Sequence, residues 1–118
     1  MPRLEVDIIH EDGLAVLIPR GELDVAGTPA LEDALAEASG ESGVCGVVVD
    51  LSRLDFMDSS GLRAVVLADK HLREQGLRFA LVRGGEPVQR VFELTRMTER
   101  LPWVETPGDL LPDCEEQA

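Results

Sequence analysis

Residues 44–74 constrain the fold most, because an apolar run is followed closely by a helix start. Residues 44–49 form a short, largely β-branched apolar run, which is typical of a strand covered on both faces. The tetrapeptide Asp58-Ser59-Ser60-Gly61 offers residue types that favour a helix N-cap, and an apolar face of helical spacing then continues to about Glu74. The stretch therefore predicts a central strand, a loop over residues 55–61 and a helix that begins with two serines.

Strand and helix patterns alternate along the whole chain. Residues 4–8 and 14–18 read as two strands joined by a tight turn, and Thr28-Pro29 is typical of a helix start. Residues 77–82 read as a further strand, and Pro87 opens a last helix. This order predicts one α/β domain over residues 1–106, with a mixed, mostly parallel sheet of four to five strands and packed helices. Residues 107–118 read as an acidic, proline-containing tail.

Two loops of this predicted fold should share one surface. Residues 21–24 follow the second strand, and residues 55–61 follow the third. The carboxyl ends of parallel strands lie at one edge of a sheet, where sites of open α/β folds usually occur. We therefore expect Asp24 and Asp58 to face the same surface as the two serines.

The charge is strongly negative and unevenly distributed. The formal net charge is −12, and residues 1–62 carry 13 acidic but only 3 basic side chains. Nucleic acid and anionic membranes are bound through dense positive charge, so neither is an expected partner. The chain shows no signal-peptide pattern and no apolar run long enough to cross a bilayer, which predicts a cytoplasmic protein.

Patterns typical of enzymes are absent from the sequence. His10 and His71 are isolated and lack the spacing of metal ligands, and no glycine-rich phosphate loop is present. A serine nucleophile at Ser59 would need a base and an oxyanion hole, and the G-x-S-x-G pattern is missing. We therefore expect no catalytic residues, no metal, no cofactor and no enzymatic activity.

Three segments together resemble a known family. Residues 21–24 read Gly-Glu-Leu-Asp, residues 51–62 read Leu-Ser-Arg-Leu-Asp-Phe-Met-Asp-Ser-Ser-Gly-Leu, and residues 87–94 read Pro-Val-Gln-Arg-Val-Phe-Glu-Leu. In this order, with matching elements between them, they resemble the bacterial anti-anti-sigma factors of the STAS superfamily. The resemblance spans nearly the whole chain and implies a STAS-type single domain. Its proline-interrupted C-terminal segment differs from the longer final helix of that family.

The resemblance also implies a function and a switch. Such a protein binds an anti-sigma factor and so frees a sigma factor. The anti-sigma factor is typically a Ser/Thr kinase that inactivates its antagonist by phosphorylating the first serine of the motif, which is Ser59 here. A phosphatase is a candidate further partner, and we expect a monomer or weak dimer. The predicted partner-binding residues are Asp24, Asp58, Ser59, Ser60, Gly61, Leu62 and Arg63.

Simpler roles compete with these assignments. Asp24 could cap a turn, Asp58 could belong to a helix cap, and Leu62 could be a core residue. Arg63 departs from the Gly-Leu-Gly pattern common in the family, so this bulky cation on the exposed first turn is expected to alter partner choice, or to pair with a phosphate and weaken the switch. The alternative function is a STAS scaffold, or the soluble subunit of a stressosome or lipid-transport complex.

Overall fold

The computed structural model describes residues 4–110 of the 118-residue chain, which form a six-stranded sheet and three α-helices. The elements in chain order are β1 (Leu4–Glu11), β2 (Leu14–Leu23), α1 (Thr28–Ser39), β3 (Gly46–Asp50), β4 (Leu54–Met57), α2 (Ser59–Glu74), β5 (Arg78–Val82), α3 (Glu86–Leu94) and β6 (Trp103–Val104). Short 3-10 turns occur at Leu51–Arg53 and Pro107–Leu110.

The sheet is mixed and mostly parallel, as predicted. Its order is β1-β2-β3-β5-β6, with β1 antiparallel to β2 and the remaining pairs parallel. The sixth position is filled by β4, which pairs in parallel with β2 beyond the end of β3. The predicted count of four to five strands was wrong, because β4 and β6 have only four and two residues and leave no recognisable period in the sequence.

Strand β3 is central and buried on both faces. Val47, Val48 and Val49 are at most 1% exposed, which accounts for the continuous apolar run. Successive strand side chains point to opposite faces, so Val47 and Val49 join one core and Val48 the other.

All three helices pack on one face of the sheet. The main core combines that face with the apolar sides of the helices, including Leu31 of α1, Val65 of α2 and Phe92 of α3. The opposite face has a smaller cluster in which Leu14 and Leu110 are buried. The molecule is therefore a helical layer on a sheet, with only a thin cover on the second face.

Two segments expected to be loops are strands. Residues 21–23 continue β2, and residues 55–57 lie in β4. Strand β2 pairs with β3 up to Leu17 and with β4 from Gly21, and a register shift between Gly21 and Glu22, with Gly21 at φ +112°, lies within the pairing with β4. The pairing of these short ends satisfies backbone groups that a loop would leave open.

The domain boundary at residue 106 stays a prediction. Pro107–Leu110 forms a 3-10 turn, and Leu110 is buried against the second face of the sheet. The remainder of the predicted tail, residues 111–118, lies outside the described residues. Within residues 4–110, no helix combines the length and apolar character needed to cross a membrane.

Candidate functional site

The site forms where β2 and β4 end side by side. Leu23 pairs with Met57 in parallel register, and the Asp58 amide donates a hydrogen bond to the Leu23 carbonyl at 3.3 Å. This brings the segment after β2 against the start of α2, as the parallel strand order predicts. The surface therefore combines Asp24 from one segment with the two serines from the other.

Asp58 caps helix α2. Its backbone is extended, and its carboxylate Oδ1 accepts hydrogen bonds from the amides of Ser60 at 2.9 Å and Gly61 at 3.1 Å. Two of the amides that a helix start leaves without partners are satisfied in this way. The carboxylate oxygen is thus engaged in fixing the first turn, and the helix begins at a defined residue.

Ser59 is the first residue of α2 and is exposed, whereas Ser60 is half-buried. Within residues 4–110 the Ser59 hydroxyl has no hydrogen-bond partner. It therefore stands on a rigid helical start and is open to an approaching group. The two serines differ in access although they are neighbours in the sequence.

Gly61 and Leu62 pack the start of α2 against the sheet and the core. A Cβ atom on Gly61 would lie 2.4 Å from the Leu23 carbonyl oxygen and 2.7 Å from Met57 Cγ, so only glycine allows α2 to approach the sheet this closely. Leu62 is 8% exposed and belongs to the main core. Both residues were predicted to bind a partner; in this structure they are buried and hold the helix start in place.

Asp24 shapes the turn between β2 and α1. Its Oδ1 accepts a hydrogen bond from the Gly27 amide at 2.9 Å, and its carbonyl accepts one from the Thr28 amide, also at 2.9 Å. The side chain is half-buried. This is the turn-capping role that competed with partner binding.

Two exposed apolar side chains at this end were not predicted. Val25 is 72% exposed in the turn after Asp24, and Phe56 is 45% exposed on β4, in register with Glu22 of β2. Val25 could have been suspected as an apolar residue in a polar turn. The exposure of Phe56 depends on the pairing of β4, for which the sequence carries no pattern.

The electrostatic character of the site is acidic with one cation. Glu22 and Asp55 are exposed on the two paired strand ends, next to the half-buried Asp24 and Asp58. Arg63 is exposed on α2 and makes no ion pair with any residue in the range 4–110. A partner with a positive surface and apolar contacts would complement this arrangement.

The two histidines lie away from the serines. His10 pairs with Glu41 at 3.3 Å, and His71 is in the last turn of α2. The described part of the chain contains no group of three or more His, Cys, Asp or Glu that could hold a metal ion.

Comparisons with known proteins show a family match and related sequences. A family model described as the STAS domain matches residues 5–109. The anti-sigma-F factor antagonist RsfB of Mycobacterium tuberculosis is 30% identical over 91 residues, which cover 77% of this chain and 73% of RsfB.

Solved structures are also similar to this chain. The crystal structure of an anti-sigma factor antagonist from Mycobacterium paratuberculosis superposes with a TM-score of 0.80 at 28% identity, covering 93% of this chain and 92% of that one. The structure of the Bacillus cell fate determinant SpoIIAA in its phosphorylated form gives a TM-score of 0.65 at 20% identity, over 94% and 98% of the two chains. The second match shows the likeness of the fold.

Proposed function

This chain belongs to the STAS domain family, and from that premise we propose that it is an anti-sigma factor antagonist. In this role it binds an anti-sigma factor and thereby releases a sigma factor for transcription. The partner is also a Ser/Thr kinase, and it switches the antagonist off by phosphorylating Ser59. The protein of M. tuberculosis and the crystal structure from M. paratuberculosis, both described as such antagonists, support the role.

One observation carries the proposal. Ser59 presents an exposed hydroxyl without a hydrogen-bond partner in the described part of the chain, on the first residue of a helix whose cap is already complete. Because Asp58 satisfies the amides of Ser60 and Gly61, the Ser59 side chain is not needed for capping. A phosphoryl group can therefore be added to Ser59 while the fold stays intact.

The effect of a phosphate follows from its charge. Phosphoserine carries roughly −1.5 to −2 charges at neutral pH. It would stand beside Asp58, on a surface that already has Glu22, Asp24 and Asp55. In an interface built for a neutral hydroxyl, the phosphate must be desolvated beside Asp58, and a cost on the order of 3 kcal/mol lowers affinity by more than about a hundredfold. Stabilisation by the helix dipole, about 0.3–1 kcal/mol, is smaller.

The remaining parts of the proposal concern the cellular setting. We place the protein in the cytoplasm, as a monomer or weak dimer without enzymatic activity of its own. A phosphatase that removes the Ser59 phosphate would restore binding. The acidic surface and the net charge of −12 support a protein partner with a positive face over nucleic acid or an anionic membrane.

The test is phosphorylation followed by binding. The protein is incubated with ATP and each candidate anti-sigma kinase of its host, and the modified residue is located by mass spectrometry. Pull-downs then compare the wild type with Ser59→Ala and Ser59→Asp. Ser42→Asp serves as the matched control, because Ser42 is an exposed serine in the segment that precedes β3, at the opposite end of the parallel strands.

The expected result is one phosphate at Ser59, binding retained by Ser59→Ala and Ser42→Asp, and binding lost by Ser59→Asp. Absence of phosphate with every kinase, together with binding indifferent to Ser59→Asp, would contradict the proposal. That outcome would favour a STAS scaffold or a subunit of a transport complex.

A further inference from the structure

The second turn of α2 carries a cation without an ionic partner. Arg63 is exposed, and among residues 4–110 it makes no hydrogen bond or ion pair. Its neighbours at helical spacing are Ser59 and Ser60 on the N-terminal side and Val66 and Leu67 on the C-terminal side. None of these is a carboxylate. The only acidic residue nearby on this helix start, Asp58, uses its Oδ1 for the cap.

Helix α2 shows what an arginine does at this spacing when an acid is available. Arg73 Nε donates to Asp69 Oδ1 at 2.9 Å, with the acid four residues before the arginine. Ser59 and Arg63 have the same spacing and the same order along the same helix. Residues four apart on a helix have Cβ atoms roughly 5–6 Å apart, within reach of an arginine side chain.

We propose that Arg63 is the intramolecular receptor for a phosphate on Ser59. The phosphate would accept hydrogen bonds from Arg63, as the Asp69 carboxylate accepts one from Arg73. The planar guanidinium of Arg63 can donate two hydrogen bonds to phosphate oxygens. This inference rests on the proposed function, because it assumes that Ser59 is the phosphorylated residue. It adds a regulatory role for a residue that lies one helical turn away.

Two consequences follow for the switch. The paired phosphate is held along the first turns of α2, over the surface that an anti-sigma factor would contact. Arg63 is at the same time held against the phosphate, so its guanidinium is no longer available for a contact with that partner. Arg63 is therefore a positioning residue for the phosphate and takes no part in its transfer.

The experiment measures the phosphate directly. Phosphoserine is installed at position 59 during translation, so that neither the kinase nor the anti-sigma factor is needed. The second ionisation of the phosphate is then followed by 31P NMR titration in the wild type and in Arg63→Gln, Arg63→Lys and Arg53→Gln. Arg53 is the matched control: it is exposed, it precedes β4, and it lies four residues before Met57, about 13 Å along the strand.

The charged groups on the elements next to Ser59 are Asp58 on its own helix start, Asp24 after β2, Glu22 on β2, Asp55 on β4 and Arg63 itself. The four carboxylates are common to all variants, so differences between variants report the substituted arginine. Because the site is exposed, we expect Arg63→Gln to raise the second pKa of the phosphate, normally about 6, by roughly half a unit. Arg63→Lys should restore part of the shift, since an ammonium is a point charge.

Equal phosphate pKa values in the wild type and Arg63→Gln, or an equal shift in Arg53→Gln, would overturn the inference. The Arg63 Nε–H resonance gives a second reading, because it should move at the same pH midpoint as the phosphorus signal. Failure of every kinase to modify Ser59 would count against the proposed function alone, since this titration uses installed phosphoserine. The two proposals can therefore fail separately.

Discussion

Gly61 is the residue at which helix α2 comes closest to the sheet. The hydrogen that replaces a side chain there faces the Leu23 carbonyl and the side chains of Leu23 and Met57. Its backbone is helical, so the requirement for glycine comes from space and not from an unusual φ angle. Because Ser59 lies two residues earlier on the same turn, the position of the hydroxyl depends on this contact.

Replacing Gly61 with alanine should destabilise the domain. The added methyl would meet a backbone oxygen at 2.4 Å, which cannot move without shifting β2, and forcing a group into a packed core costs about 1–3 kcal/mol. The intrinsic gain of alanine over glycine in a helix, about 1 kcal/mol, offsets part of this loss. Since the clash is with a backbone oxygen, we expect a net loss toward the upper end of the difference, about 2 kcal/mol in the free energy of unfolding, measured by chemical denaturation.

Gly108→Ala is the matched control for this measurement. A Cβ atom at Gly108 would have no neighbour within 4 Å, so its stability should stay within about 0.5 kcal/mol of the wild type. Equal stability of both variants and the wild type would mean that α2 can shift freely over β2.

At the scale of elements, the sequence predicts a helix or strand best when its pattern is long and formed by neighbouring residues. Helix α2 was predicted over its observed length, because its cap and apolar face are encoded by neighbouring residues. Strand β4 was predicted as a loop, since its four residues become a strand only by pairing with the end of β2. The same reason explains the site: the positions of Asp58 and Ser59 were predictable, whereas the exposure of Phe56 was not.

Helix α3 makes an aromatic contact with β6 in addition to its packing in the main core. Phe92 is fully buried and meets Trp103 of β6 edge to face, with ring centroids 5.0 Å apart and an interplanar angle of 89°. Trp103 also donates from Nε1 to the Thr98 carbonyl at 2.9 Å. Since α3 packs on β4, this contact links the far edge of the sheet to the strand that leads into the site.

Phe92→Ala should therefore lower the free energy of unfolding by about 3–5 kcal/mol, because it removes a buried ring and leaves a cavity. Phe92→Leu keeps most of the volume and should cost about 1.5 kcal/mol or less. Leu94→Ala, on the same helix but 77% exposed, should change stability by no more than about 0.5 kcal/mol. Denaturant unfolding of the three variants checks the series, and equal losses for Phe92→Ala and Leu94→Ala would show that α3 does not depend on this packing.

At the scale of the molecule, negative charge is concentrated in the half that builds the site. Residues 1–62 carry 13 acidic and 3 basic side chains, whereas residues 63–100 carry 5 acidic and 8 basic ones. The strand order places Glu22 and Asp55 at the edge of the sheet that carries Ser59. Such an asymmetric field attracts a positive partner before contact, so it should act mainly on the rate of association.

The rate constants for binding the anti-sigma factor test this expectation. The Debye length falls from roughly 10 Å at 0.1 M salt to about 3 Å at 1 M, so the association rate constant should fall about tenfold while the dissociation rate constant changes less. The double variant Glu22→Gln/Asp55→Asn should lower association at 0.1 M salt by about threefold.

The matched control for this pair is Glu37→Gln/Glu99→Gln. Its two glutamates are exposed and lie outside the paired ends of β2 and β4, in the segments before β3 and β6, and each double variant changes the net charge from −12 to −10. Only charges near the docking surface steer a partner into the correct orientation, so the control pair should associate at close to the wild-type rate. An equal slowing by both pairs would mean that total charge alone sets the rate. A wild-type association rate constant that does not change with salt would mean that the acidic surface around Ser59 does not face the partner.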